Sequence, residues 1–207
     1  DRLVNTVFFK KDYQVAPFYF RMRREDRTLR DFLMEYASTF YRQYIAYCHQ
    51  EPDLYKDSET DLEELLEYPS DHNAVMLAKK SIEAFLKRYR NPRYSDTINQ
   101  WEAFICVPEL LASHSGTRVA VIIDEFQDMR FYVHDSDDQT VKEIRKERLR
   151  EPDGAVGAMN LPATYGRQAQ SRKAPMLICG SAVTMVFRIV TGGALGGRFA
   201  FRYLKPM

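Results

Sequence analysis

Residues 118–128 read Arg-Val-Ala-Val-Ile-Ile-Asp-Glu-Phe-Gln-Asp, and the apolar run 119–123 leads directly into the adjacent carboxylates Asp124 and Glu125. An uninterrupted apolar run of this length predicts a strand buried on both faces, as in a parallel sheet covered by helices. The acids then emerge at the strand's carboxyl end, where open α/β sheets bind ligands. Side chains alternate along a strand, so Asp124 and Glu125 diverge and are suited to different tasks. Taken alone, the same pattern also fits an ordinary buried strand capped by solvated acids.

The rest of the chain supplies elements to pack around such a strand. Residues 18–22 alternate and are rich in aromatics, which predicts a second strand with Pro17 at its start, where a missing donor is tolerated. Thr28 is the expected N-cap of a helix of about five turns. Leu29, Phe32, Leu33, Tyr36, Phe40 and Tyr44 recur along it at three- and four-residue steps, an aromatic stripe fit for packing on a sheet. Leu62, Leu65 and Leu66 among Asp61, Glu63, Glu64 and Glu67 predict a short helix with a solvated acidic face. The glycine-centred spacing of a calcium loop is absent there.

Residues 73–90 form the next expected helix, with Met76, Leu77, Ile82, Phe85, Leu86 and Tyr89 inward and Asn91-Pro92 as its stop. A further helix opens at Ser95 or Asp96, carries Trp101 in the core, and breaks or kinks at Pro108. After Asp128 come a short strand or loop at 131–133, a highly charged helix at 137–150 and a glycine-containing loop at 151–162. Residues 176–179 read as another buried strand, turning at Gly180 into Ser181. A glycine-rich stretch at 192–197 then leads to Arg198.

Composition narrows the class. A chain of 207 residues is long enough for one sizeable domain, and 45% hydrophobic with 29% charged residues is a globular balance. A net charge of +1 recommends neither nucleic acid nor membrane as a partner. The three cysteines, Cys48, Cys106 and Cys179, are widely spaced and form no CxxC pair, which argues against a zinc site or a disulfide framework. A reducing, cytoplasmic setting is expected, with no signal peptide and no bilayer-spanning run. The chain opens at Asp1 without an initiator Met and reads as a fragment of a longer protein.

Three segments in order, IIDEFQ, PMLICGSAVTM and GALGGRF…LKPM, together resemble the prokaryotic AAA+/STAND ATPases usually called archaeal-type ATPases. The resemblance implies an α/β fold: a three-layer P-loop NTPase (AAA+-like) core with a mostly parallel sheet. It makes residues 1–207 a partial ATPase domain, incomplete at the N-terminus, with 130–173 as a helical insertion or long connection. The 118–128 stretch then resembles a Walker B motif, and residues 18–22 resemble the family's second strand.

By the same resemblance, Asp124 holds magnesium, directly or through water, and Glu125 activates the hydrolytic water. Ser181 is a sensor toward the γ-phosphate or that water, Gln127 steadies the water, and Arg198 is a phosphate-sensing or interface arginine. Gln127 as a helix cap and Arg198 as a surface residue are equally open. The implied ligands are ATP and Mg2+, with other subunits or DNA reached only through regions outside this chain.

The pattern departs from the family in one respect that matters: no GxxxxGK[ST] phosphate loop occurs in the sequence. Without its amides and lysine most of the β/γ-phosphate cradle is missing. Two other readings therefore stand beside ATP hydrolysis. One is a non-catalytic interaction module on a degenerate ATPase fold. The other is a metal-dependent nuclease or phosphoesterase using Asp124, Glu125 and Asp128, which would need further acids from neighbouring strands.

Overall fold

The computed structural model describes residues 9, 14–91, 97–134, 161–181, 183–191 and 195–200. The readings at Ser95 and Asp96, at 137–150 and 151–160, at 192–194 and at 201–207 lie outside the described residues.

The first half of the chain runs β1 (Val15–Arg21), β2 (Arg27–Thr28), α1 (Leu29–His49), α2 (Pro52–Lys56), α3 (Leu62–Glu67), α4 (Asn73–Tyr89), α5 (Thr97–Phe104) and α6 (Val107–Ser115). β3 (Arg118–Asp124), α7 (Met129–Tyr132), β4 (Val133–His134) and β5 (Met176–Ile178) follow. β1, β3 and β5 form one parallel sheet in that order, with the acid-bearing strand in the centre. The architecture is mixed α/β with a parallel sheet, as the apolar run predicts.

The sheet presents Ala16, Phe18 and Phe20 with Val119, Val121 and Ile123 to the helices, all buried. Phe18 meets Tyr36 and Phe40 of α1 edge-on at 4.9 and 5.2 Å, and Phe20 meets Phe32 at 5.7 Å. Aromatic pairs of this geometry each contribute about 0.5–1.5 kcal/mol beyond simple burial. The stripe on α1 is therefore the sheet's main cover. Trp101 extends the cluster, 5.2 Å from Phe32 and 5.1 Å from Tyr36, and its Nε1 donates to Thr164 Oγ1 at 2.8 Å.

The other face is covered unevenly. Tyr19, Ile122 and Leu177 share one row across the sheet. Ile122 is 8% exposed but Leu177 is 57% exposed. The strand expected to be buried at 176–179 ends at Ile178 and is only half covered, because it lies at the sheet's edge rather than its centre.

The opposite edge is closed. β1 begins at Val15, earlier than expected, so Pro17 lies inside it. In a parallel strand, alternate residues turn their backbone groups outward. Tyr19 does so: its N–H donates to Gln43 Oε1 at 2.8 Å, and its carbonyl accepts from Gln43 Nε2 at 2.9 Å. Pro17 has the same parity, so its missing donor faces away from β3. The Gln43 amide of α1 replaces a strand partner and blunts the edge.

Other elements follow their local chemistry. Thr28 Oγ1 accepts from the Asp31 amide at 3.0 Å, capping α1 as expected, but the helix continues to His49. Asp61 and Glu64 close a capping box on α3. Pro108 falls in the first turn of α6, so the expected single helix is two, α5 and α6. On α4 the inward stripe is Val75, Ala78, Ile82, Phe85 and Leu86, and Met76 is exposed. At 131–133 the chain is helical to Tyr132, then pairs β4 with β2 in a short parallel ribbon. The ends of the 130–173 connection are core: Val133, Leu161 and Tyr165 are buried.

Candidate functional site

β3 delivers its last residue, Asp124, at the carboxyl end of the sheet, and the chain then reverses sharply at Glu125. Glu125 has φ 53° and ψ 41°, a left-handed conformation that is uncommon for a residue with a Cβ. The Asp124 carboxylate stabilises the reversal, its Oδ1 accepting from the Glu125 amide at 3.0 Å. The next amide, of Phe126, donates to the Cys179 carbonyl at 3.1 Å, tying the turn to the end of β5. A 3-10 turn over Phe126–Asp128 follows.

Reversal and strand alternation separate the two acids, as expected. Asp124 Oδ2 accepts from the Tyr19 hydroxyl at 3.0 Å and lies 4.0 Å from Arg21 Nε. Burial, then the bond to Asp124, push the Tyr19 phenol up to about 12, so it remains a donor. Glu125 turns toward β5. Its Oε2 accepts from the Ser181 amide at 3.1 Å, from the Ser181 hydroxyl at 2.9 Å, and from Gln127 Nε2. The Ser181 amide first, then Gln127 and the Ser181 hydroxyl, hold the Glu125 carboxyl below the ordinary carboxylate range. Glu125 is therefore an anion whose three hydrogen bonds all fall on Oε2, which leaves Oε1 as the oxygen that can meet a water without loosening Ser181 or Gln127.

Gln127 is buried, and among the described residues its Oε1 has no hydrogen-bond partner. That oxygen lies against Gly180: a Cβ at position 180 would fall 2.1 Å from it and 2.7 Å from Val186 Cγ2. Glycine is thus required at 180 by close approach. An orphaned carbonyl beside a carboxylate and a hydroxyl suits a water or ligand donor.

Of the residues singled out in the sequence, Asp124, Glu125, Gln127 and Ser181 come together at the ends of β3 and β5. Arg198 does not join them: its guanidinium donates to the Gly166 carbonyl, beyond the short helix Leu161–Thr164. Three contributors escaped the sequence reading. Tyr19 and Arg21 were hidden by their place in an aromatic strand, and Arg24 by a charged connection. Arg24 Nε donates to Asp128 Oδ2 at 3.1 Å. The alternation of strand β1 was the available signal for Tyr19 and Arg21, which share parity and thus the Asp124 side of the sheet.

Among the described residues no group of three or more His, Cys, Asp and Glu side chains is arranged to hold a metal ion. Magnesium needs no such cage, since it commonly takes one or two carboxylates together with waters and substrate phosphates. Asp124, half-buried at a strand end, fits that demand. Among the described residues no helix is long and apolar enough to cross a membrane. No family model, curated protein or solved structure matches the chain.

Proposed function

We infer that this chain forms part of a P-loop-type ATPase that binds ATP and hydrolyses it with magnesium to drive a conformational change. The observation that carries this reading is the pair of hydrogen bonds that Ser181 donates to Glu125 beside Asp124. One strand end supplies a metal-binding carboxylate and a water-directed carboxylate, and the neighbouring strand end supplies a polar sensor. The finer fold that this implies is a three-layer, AAA+-like core in a cytoplasmic protein.

In this reading Asp124 holds magnesium, which when bound neutralises developing charge on the phosphates. Tyr19 fixes the rotamer of Asp124. Glu125 orients water once Ser181 turns toward the terminal phosphate, and the Gln127 carbonyl accepts a hydrogen from that water. Arg198 serves at an interface rather than at these acids. The packing suited to carry the change outward is aromatic: Phe126 meets Tyr165 at 5.7 Å, and Tyr165 meets Trp101 at 5.7 Å.

The phosphate loop that this chemistry requires is absent from the sequence. It would have to be supplied beside β5, whose outer edge has no strand partner among the described residues. That requirement keeps a second reading in play, a non-catalytic interaction module on a degenerate ATPase fold. The nuclease reading is weaker, because the end of β5 contributes Ser181 where another acid would be needed.

The test is ATP binding and magnesium-dependent hydrolysis by the intact protein beside its Glu125→Gln variant. Binding retained with turnover lost supports the reading. A wild type that binds no ATP overturns it and leaves the interaction module.

A further inference from the structure

Four arginines lie at the last position of β1 and in its connection to α1, and the structure divides them. Arg23 and Arg27 turn back to α1: Arg23 Nε lies 3.7 Å from Glu35, and Arg27 bonds Glu35 and pairs with Glu25. Arg21 and Arg24 turn to the acids at the end of β3, Arg21 toward Asp124 and Arg24 toward Asp128.

Asp128 is not one of the open carboxylates of the site. Its side chain is 8% exposed, where an unpaired charge would be costly, and Arg24 is its cation. The bond uses only the Nε of Arg24. Among the described residues the guanidinium makes no other hydrogen bond or ion pair, and its side chain is 63% exposed. The paired Nη nitrogens are left as a free fork. A guanidinium anchored through Nε and open at its Nη edge is preorganised for two parallel bonds to a phosphate, which a lysine cannot make. Gln127 Nε2 donates to Glu125 Oε2 and lies 3.5 Å from Asp128 Oδ1, so the Arg24–Asp128 pair adjoins the Glu125–Ser181 pair.

We propose that Arg24 binds the terminal phosphate of the nucleotide, with Asp128 as the positioning residue that aims it. The proposal rests on the ATPase reading above. In it, the positive charge a terminal phosphate requires comes from the β1–α1 connection. Arg198, which the sequence suggested for that task, is committed to the Gly166 carbonyl.

The experiment is calorimetric titration of the intact protein with Mg-ATP and, separately, Mg-ADP, comparing wild type with Arg24→Ala, Arg24→Lys and Asp128→Asn. Loss of a charge-assisted bidentate contact predicts ATP binding weakened roughly tenfold to a hundredfold in Arg24→Ala, with ADP binding unchanged. Arg24→Lys keeps a cation opposite Asp128, guarding against a variant that fails to fold. It should still lose ATP affinity selectively, as should Asp128→Asn. Equal losses for ATP and ADP, or no loss in folded variants, overturn the proposal and leave Arg24 as a counter-ion of Asp128. If wild type binds ATP and Arg24→Ala binds it equally, only this inference falls. If wild type binds neither nucleotide, the ATPase reading falls with it.

Discussion

The backbone amide and the hydroxyl of Ser181 both donate to the same oxygen of Glu125, at 3.1 and 2.9 Å, across 56 residues of sequence. Two donors from one residue fix both the position of the carboxylate and its charge.

The first prediction concerns pH. Glu125 is held below its ordinary value of 4.5 in the folded protein. Its contribution to stability is therefore present above the unfolded-state value and is lost as pH falls through the depressed folded value. Ser181→Ala removes the hydroxyl donor but keeps the amide. The variant should be less stable than wild type at about pH 7, and the gap should narrow as pH falls below 4.5, by urea unfolding. An unchanged gap at the lower pH would show that the serine acts through packing instead.

Gly180→Ala drives a methyl group into Gln127 Oε1 and Val186. Overpacking of this kind costs about 1–3 kcal/mol. Pairing it with Gln127→Ala removes the nearer clash but not the one with Val186. The double variant should recover part of the loss, measured as a coupling term from denaturant midpoints. Strict additivity of the two substitutions would contradict the contact.

Gln43→Ala strips the cap from the Tyr19 backbone. Loss of two bonds in a part-buried setting predicts a cost of about 1–3 kcal/mol, read from the unfolding midpoint. It also exposes the outer edge of β1 as a template for strand pairing. Light scattering should then show concentration-dependent association that the wild type lacks.

Thr164→Val leaves the indole N–H of Trp101 buried without its acceptor. The expected penalty is about 1–3 kcal/mol. Thr164→Ser retains the hydroxyl and should retain most of the stability, which separates the hydrogen bond from the volume of the side chain.

Much of this molecule was legible in residue order. The apolar run ending at Asp124, the Thr28 cap and the α1 stripe are local patterns, in which period and residue type specify the element directly. That Asp124 and Glu125 diverge followed from residue order, although the left-handed turn at Glu125 produces it together with strand alternation. So did the delivery of Ser181 after a strand, although that strand is less buried than its composition suggests. Met76 misled because a helix stripe can rotate by one residue, and Val75, Ala78 and Ile82 satisfy the same spacing as well.

By itself the sequence determined which segments become strands and helices, and which polar groups stand at the strand ends, because these depend on neighbours in the chain. Only the tertiary structure decided that β3 is central and β5 an edge. It alone paired Glu125 with Ser181 rather than Arg198, and sent Arg24 to Asp128 while Arg23 and Arg27 went to Glu35. Those choices rest on strand order and on distances between residues far apart in sequence, and side-chain type alone carries no information about either.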